Sequence, residues 1–286
     1  MNKIAIVADS TCDLSEELLK KYDISICPLH VYLGEEEYID RVNITPKEIY
    51  EWSDEHKSTP KTSAISLFEA MDFLEKKLAE ADEIIAFTIS SEMSSCLESF
   101  HWATGELQAA DRVFTIDSRN LSTGIGLQII AAAEMAQQGM TAEEIVKKIK
   151  ELQPHVRASF MVDTLTYLYR GGRCSGLAAL TGSTLKLHPC IVVRDGAMNA
   201  DKKYRGNMKK VIHQYVEDLR PALETALPDR VFITSSDCDE EIVNMVKEQL
   251  EELNHFREIL ITSAGSVISC HCGPGTLGVL FIAGDR

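Results

Sequence analysis

The chain has 286 residues, with 29 Lys or Arg against 44 Asp or Glu, which gives a formal net charge of −15 at pH 7. Its length exceeds the roughly 100 to 200 residues of a typical domain, so we expect two domains or one large one. The excess of negative charge argues against a nucleic-acid partner, because binding to the phosphate backbone depends on clustered cations.

The chain starts with a strand-like run at residues 3–8, and no charged segment followed by a long apolar segment marks a secretory signal. No apolar stretch approaches the roughly 20 residues that span a bilayer. The eight cysteines are scattered and lack the spacing of small disulfide-rich domains. We therefore expect a cytoplasmic protein with reduced thiols.

Strand-like runs alternate with helical patterns in the first half of the chain. Strands are predicted at 3–8, 83–89 and 113–117, and helices at 95–107 and 124–138. Five pairs have the spacing of a capping box, which marks the start of a helix: Asp13 and Glu16, Thr45 and Glu48, Ser66 and Glu69, Ser95 and Glu98, and Thr141 and Glu144. Strands that alternate with helices predict a parallel sheet in a three-layer α/β domain.

Two stretches depart from this alternation. Residues 26–39 contain the strand-like PLHVYL and a turn at Gly34, which predicts a small hairpin beside the main sheet. After Pro154 the pattern becomes mixed, and we expect a domain boundary near residue 155. The sequence thus predicts an N-terminal domain at 1–155 and a C-terminal α/β domain with antiparallel pairing at 156–286.

The second half contains helices and strands in an irregular order. Strands are predicted at 157–163, 190–199 around an Asp195–Gly196 turn, 231–236, 258–265 and 266–271. Helices are predicted at 165–173, ending at glycines, and at 175–187, 207–223 and 240–253.

The stretch CHCGPGTLG at 270–278 contains glycines at 273, 275 and 278 in a G-x-G-x-x-G pattern. A dinucleotide site needs a strand before this pattern and a helix after it. The strand-like VLFIAGD follows instead, so we expect no nucleotide cofactor here.

The same stretch places Cys270, His271 and Cys272 on successive positions of the strand predicted at 266–271. The two thiols would then point to one face and the imidazole to the other. No second Cys or His pair lies at ligand spacing, and we expect no structural zinc. His271 is either a structural histidine or a polar group directed at a ligand.

Hydroxyl side chains precede two of the predicted helices. Ser94 and Ser95 stand at the start of one, and Thr62 and Ser63 lie just before another. Free backbone N–H groups at a helix start, together with hydroxyls, form an anion site at the carboxyl edge of a parallel sheet. Capping of the helices alone is the other interpretation. Neither place has a G-x-x-x-x-G-K-[ST] loop, so a carboxylate is favoured over a triphosphate.

Nucleophilic catalysis has little support in the sequence. No G-x-S-x-G motif is present, and Asp9 lacks the second aspartate that an aspartyl-phosphate hydrolase needs two residues later. We expect Asp9 to order its neighbouring loop.

Five separated motifs, in this order, resemble the DegV family over essentially the whole chain: IAIVADSTCDL, KTSAIS, ISSEMSSCLES, LYRGGR and HCGPGTLG. The resemblance implies two α/β domains with a long-chain fatty acid bound between them. It also implies a link to bacterial fatty acid kinases, since some members are the fatty-acid-binding subunits of such enzymes.

The resemblance further implies roles for individual residues. Thr62 and Ser94 match positions that hold the ligand carboxylate, and His271 and Arg170 match polar residues near it. Four residues would have supporting roles, with the two glycines allowing the chain to turn: Ser63, Ser95, Gly273 and Gly275. The apolar segment 124–133 is a candidate lining of the tail tunnel, or packs against the sheet.

The sequence departs from the family pattern at several positions around the expected head-group site. These are Glu92, Ser95, Cys96 and Leu97, which differ from SSGLSGTYQSA, Ile65, where proline is common, and Cys272, where threonine is common. The pattern therefore indicates a fatty acid but does not specify its chain length or saturation.

Two functions remain open at this stage. One is a non-catalytic carrier, without cofactor or metal, that presents a fatty acid to a separate ATP-dependent kinase and contacts membranes transiently. The other is an enzyme acting on a small polar substrate, because a related fold occurs in dihydroxyacetone kinases. An aliphatic tunnel favours the carrier, and a short polar cleft favours the enzyme.

Overall fold

The structure is a computed structural model that describes residues 2–175 and 187–284. Its strands, in chain order, are β1 Ile4–Asp9, β2 Ile24–Cys27, β3 His30–Leu33, β4 Glu36–Ile39, β5 Lys61–Ser63, β6 Glu83–Thr88, β7 Val113–Asp117, β8 Val156–Met161, β9 Cys174–Ser175, β10 Leu187–Arg194, β11 Ala197–Arg205, β12 Ala226–Ser236, β13 Glu258–Ser263 and β14 Thr276–Ala283.

The α-helices in the same ranges are α1 Glu16–Lys21, α2 Pro46–His56, α3 Leu67–Leu78, α4 Cys96–Glu106, α5 Thr123–Gln137, α6 Ala142–Leu152, α7 Thr166–Gly171, α8 Met208–Leu223, α9 Glu240–Glu252 and α10 Ser266–Cys272. Short 3₁₀ turns lie at Ser10–Cys12 and Gln153–His155. No helix in the described ranges is both long and apolar enough to cross a membrane. The helix predicted at 175–187 lies almost wholly outside the described residues.

The strands form three sheets. The first is parallel, with the order β2-β1-β6-β7, as the alternation of strands and helices predicted. The second has seven strands in the order β13-β12-β14-β8-β10-β11-β9 and is mostly antiparallel. In the third, the β3–β4 hairpin pairs with β5. The protein is therefore an α/β fold with one parallel and one mixed sheet.

Helices cover the parallel sheet in two pairs, α3 with α4 and α5 with α6. Helix α5 also packs against β8 and β14 of the mixed sheet, so it lies between the two sheets. Its residues from Ile125 to Ala133 are almost all buried there, since hydrophobic burial is the main stabilising term in folding. On the opposite face of the mixed sheet, α8 and α9 bury a separate apolar cluster that includes Tyr215 and Ile233.

Three of the predicted capping boxes are confirmed. Side-chain and backbone bonds are both present at Thr45 with Glu48, at Ser66 with Glu69, and at Thr141 with Glu144. These residues are exposed and act locally, which is why their spacing alone identifies them.

Two predicted capping boxes are wrong. Ser15, not Asp13, caps α1, because the Asp13 carboxylate accepts hydrogen bonds from the distant Ser122 and Gly265 instead. Ser95 precedes α4 but its backbone has ψ 12° rather than an extended value, and its side chain makes no capping bond.

Candidate functional site

Cys270, His271 and Cys272 are the last three residues of a helix. The prediction of a strand at 266–271 is therefore wrong. Helix α10 spans Ser266–Cys272, and six of its seven residues are buried. The valine, isoleucine and cysteine content favours a strand locally, but packing against α2 and α7 decides the conformation. Among the described residues, no group of three or more His, Cys, Asp or Glu side chains is placed to hold a metal ion.

Two aspartates from the first half of the chain hold the start of α10. Asp13 Oδ1 accepts a hydrogen bond from the Gly265 N–H at 2.8 Å, and Asp40 Oδ1 accepts one from the Ser266 N–H at 2.9 Å. Burial raises the pKa of Asp13 to about 7 and raises the pKa of Asp40 as well. These bonds satisfy the N–H groups of Gly265 and Ser266 at the helix start and tie α10 to the first half of the chain.

At the other end of α10, His271 lines a cavity between the sheets. Thr62 and Ser63 of β5, Ser94 before α4, and Arg173 after α7 line the same cavity. The structure thus brings together hydroxyls from the two predicted helix starts. Its remaining lining is apolar apart from the Cys272 thiol: Leu29, Ala64, Ile89, Met93, Leu121, Met198, Val267 and Ile268.

His271 is neutral in this position. Burial, assisted by the nearby Arg173 cation, lowers the pKa of its imidazole to about 4. His271 Nε2 lies 2.8 Å from Thr62 Oγ1, at hydrogen-bond distance. His271 Nδ1 is buried without a hydrogen-bond partner among the described residues. If the single imidazole proton is on Nε2, it is donated to Thr62, and the Thr62 hydroxyl proton remains available for a ligand.

The two arginines of LYRGGR have different surroundings. Arg170, which the family resemblance singled out, is exposed on α7 and is not among the described residues that line the cavity. Arg173 lines it instead, with a guanidinium N–H bonded to the Gly171 carbonyl. The helix ends at Gly171, and Gly172 then takes a left-handed conformation with φ 66° that redirects the chain. The two glycines of the motif are the sequence feature that indicates the end of the helix before Arg173.

The four residues predicted to have supporting roles differ in their positions relative to the cavity. Ser63 lines the cavity, whereas Ser95 is exposed and is not part of the described lining. Gly273 and Gly275 have φ of +78° and +71°, a region that favours glycine. A Cβ on Gly273 would come within 2.6 Å of the Tyr167 ring, so this position also needs glycine for space.

A second, smaller cavity adjoins the first. Leu121, Ile268 and Cys272 line both, so these side chains form the passage between them. The second cavity continues toward Phe160 and Leu280 of the mixed sheet. The cavities are narrow, with volumes of about 50 and about 20 Å³. The segment 124–133 lines neither of them, because it is buried in the packing of α5.

Other reactive groups in the neighbourhood have structural partners. Asp9 accepts bonds from the Thr11 N–H and hydroxyl and from the Ile89 N–H, as expected for a residue that orders its loop. All eight cysteines are free thiols, and burial raises the pKa of Cys272 to about 12. A thiol with that pKa is a poor nucleophile at neutral pH.

Comparison with known proteins identifies the family. A model of the DegV family matches residues 3–284. A DegV domain-containing protein of Clostridium perfringens is 33% identical over 282 residues, covering 99% of both chains. Protein DegV of Bacillus subtilis is 31% identical over 277 residues, covering 96% of this chain and 98% of its own.

Solved structures with the same fold bind fatty acids. A fatty-acid-binding DegV family protein of Thermus thermophilus superposes with a TM-score of 0.91 at 30% identity, covering 98% of this chain and 99% of its own. DegV of Bacillus subtilis, a fatty acid binding protein, gives 0.86 at 30% identity with 99% and 100% coverage. A stearic-acid-binding protein of Eubacterium ventriosum gives 0.84 at 28% identity with 98% coverage of both. The chain described here belongs to the DegV family.

Proposed function

We propose that this protein binds a long-chain fatty acid between its two α/β domains, which we place at residues 1–155 and 156–286. The observation that carries the proposal is the lining of two adjoining cavities: polar groups that suit a carboxylate line the first, and Leu121, Ile268 and Cys272 are shared with the second. The fatty acids bound by related proteins of the same fold support this ligand class.

Recognition of the carboxylate would use hydroxyl and imidazole groups with a nearby cation. Thr62 and Ser94 donate hydroxyl hydrogen bonds, His271 orients the Thr62 hydroxyl, and Arg173 supplies positive charge. Such compensation is needed because an ionised carboxylate loses its hydration when it is buried. Ser63 supports this group, and Gly273 and Gly275 shape the turn after His271.

The alkyl tail would extend past Leu121, Ile268 and Cys272 into the second cavity. About 15 methylenes gain on the order of 12 kcal/mol gross when they leave water, at ~0.8 kcal/mol each. Binding sites for molecules of drug size occupy roughly 300–1,000 Å³, more than the two cavities provide. Side chains of the passage must therefore move apart to admit the tail.

We further propose that the protein does not phosphorylate its ligand but presents the carboxylate to a separate ATP-dependent kinase in the cytoplasm. The sequence contains no G-x-x-x-x-G-K-[ST] loop for ATP. A kinase needs an approach to the carboxylate, and the exposed Arg170 and Arg173 mark the side from which it would come. Exchange of the fatty acid would involve transient contact with a membrane.

Incubation of the fatty-acid-loaded protein with labelled ATP tests this role. We expect no acyl phosphate from the protein alone, and label transfer when the host's fatty acid kinase is added. Arg170→Ala and Arg173→Ala variants should reduce the transfer, with Lys247→Ala on the distant α9 as the control for lost charge. Acyl phosphate formed without the kinase would contradict the carrier role, and so would no transfer from loaded protein to an active kinase.

A further inference from the structure

A surface concavity, separate from the two cavities of the proposed fatty acid site, borders the same short segment, residues 119–121. Leu121 lines the fatty acid cavity, whereas Arg119 and Asn120 line the concavity. No residue in the described part of the chain lines both. The concavity has a volume of about 620 Å³, within the roughly 300–1,000 Å³ typical of small-molecule sites.

The concavity forms where two strands of the mixed sheet separate. Pairing of β8 with β10 ends at Ser159 and Val192, and the first residues of β8 continue without a partner on that side. Strand β10 continues in its hairpin with β11 instead. The lining has an apolar part, called the floor below, which includes Val156, Ala158, Val192, Leu219 and Phe281.

Four cations, from the loop after β7 and from α6, β8 and β10, line the same concavity: Arg119, Lys150, Arg157 and Arg194. Asp195 is the one described acidic residue in the lining. Two of the cations are engaged by carboxylates, since Arg194 pairs with Asp201 and Arg119 lies near Glu92 and Asp117.

Lys150 and Arg157 have no carboxylate partner in the described ranges. Both side chains are exposed, and the Arg157 guanidinium donates only to the carbonyls of Pro154 and Val156. Two uncompensated cations match the charge of a phosphate monoester, which is about −1.5 to −2 at pH 7. The apolar floor matches an organic group attached to it.

We infer that this concavity is a binding site for a small organic phosphate, with its phosphate at Lys150 and Arg157 and its apolar part on the floor. The site is independent of the proposed fatty acid function, because it uses different residues. Charge-assisted hydrogen bonds and direct contact with the floor would both contribute to affinity.

Calorimetric titration with 1-naphthyl phosphate tests the inference. We expect saturable binding that the Lys150→Ala/Arg157→Ala double variant weakens by about ten- to a hundredfold. Ala222→Trp, at an exposed position of α8 that lines the concavity, should also weaken binding by filling the space. Inorganic phosphate and 1-naphthol should each bind at least about tenfold more weakly, because each lacks one half of the ligand.

Lys147→Ala/Lys148→Ala is the matched control, since it removes two charges from the same helix at positions outside the described lining. Thr62→Ala/Ser94→Ala should bind the probe as the unmodified protein does. Absence of binding at millimolar probe, or equal binding by the Lys150/Arg157 variant, would overturn the inference. Tighter binding of a hexaglutamate peptide, lost in the same variant, would overturn it in favour of a docking groove for an acidic protein.

Discussion

Replacement of Thr62 and Ser94 together by alanine is expected to weaken fatty acid binding by roughly a hundredfold to ten-thousandfold. Each hydroxyl bond to an ionised carboxylate is worth about 1.5 to 3 kcal/mol, and each 1.4 kcal/mol corresponds to a tenfold change in affinity. Both side chains are only partly buried, Thr62 in the short strand β5 and Ser94 in the loop before α4, so the fold should tolerate the change. Titration of delipidated protein with palmitate measures the effect.

Two further variants make the result specific to these hydroxyls. Ser95→Ala removes the neighbouring hydroxyl, which is exposed and outside the described lining, and should leave affinity unchanged. The single variant Thr62→Ser keeps a hydroxyl at the position facing His271 Nε2 and should retain most of the affinity. A folded double variant with the affinity of the unmodified protein would show that the carboxylate binds elsewhere.

Obstruction of the passage is expected to discriminate between long and short ligands. Ile268 lines both cavities and is 7% exposed, so a tryptophan at this position would occupy the passage. We expect Ile268→Trp to weaken palmitate binding by more than about tenfold while octanoate binding changes less. The difference arises because a long tail loses about 0.8 kcal/mol for each methylene that no longer reaches the second cavity.

Ile242→Trp provides the matched control for overpacking. Ile242 is also 7% exposed, but it lies on α9 in the separate apolar cluster and is not among the residues described around the cavities. Both variants should lose stability, since extra volume in a packed core costs about 1–3 kcal/mol. Only Ile268→Trp should change the ratio of palmitate to octanoate affinity. An equal loss for both ligands would argue against a tail in this passage.

The sequence predicted those parts of the fold that depend on local signals. The capping boxes at Thr45, Ser66 and Thr141 are confirmed because each uses residues three apart on an exposed helix start. The turn at Asp195 and Gly196 is confirmed for a similar reason, since both residues have positive φ values that suit their types.

Two of the predictions that were wrong concern residues whose partners are distant in sequence. Asp13 has the spacing of a helix cap, yet its carboxylate binds Gly265, which lies 252 positions later in the chain. Residues 266–271 have the composition of a strand, yet tertiary packing and the two buried aspartates stabilise a helix there. No periodicity in a short segment reports such contacts.

In the candidate site, some residues could be predicted from the sequence and others could not. Thr62, Ser94 and His271 follow from motifs and the family resemblance, and the structure brings all three to one cavity. Arg170 follows from the family resemblance alone, but it is exposed on α7 and is not among the described residues that line the cavity. The φ of +66° at Gly172 turns the chain so that Arg173 lines the cavity.

Mass spectrometry of lipid extracted under denaturing conditions from the purified protein tests the central claim most directly. Protein produced in a bacterial host should release a fatty acid of roughly 14 to 18 carbons in near-equimolar amount, since about 15 buried methylenes supply the main free energy of binding. The Thr62→Ala/Ser94→Ala variant should release much less. Extracts without fatty acid, from protein that also fails to bind added palmitate or oleate, would contradict the proposed function.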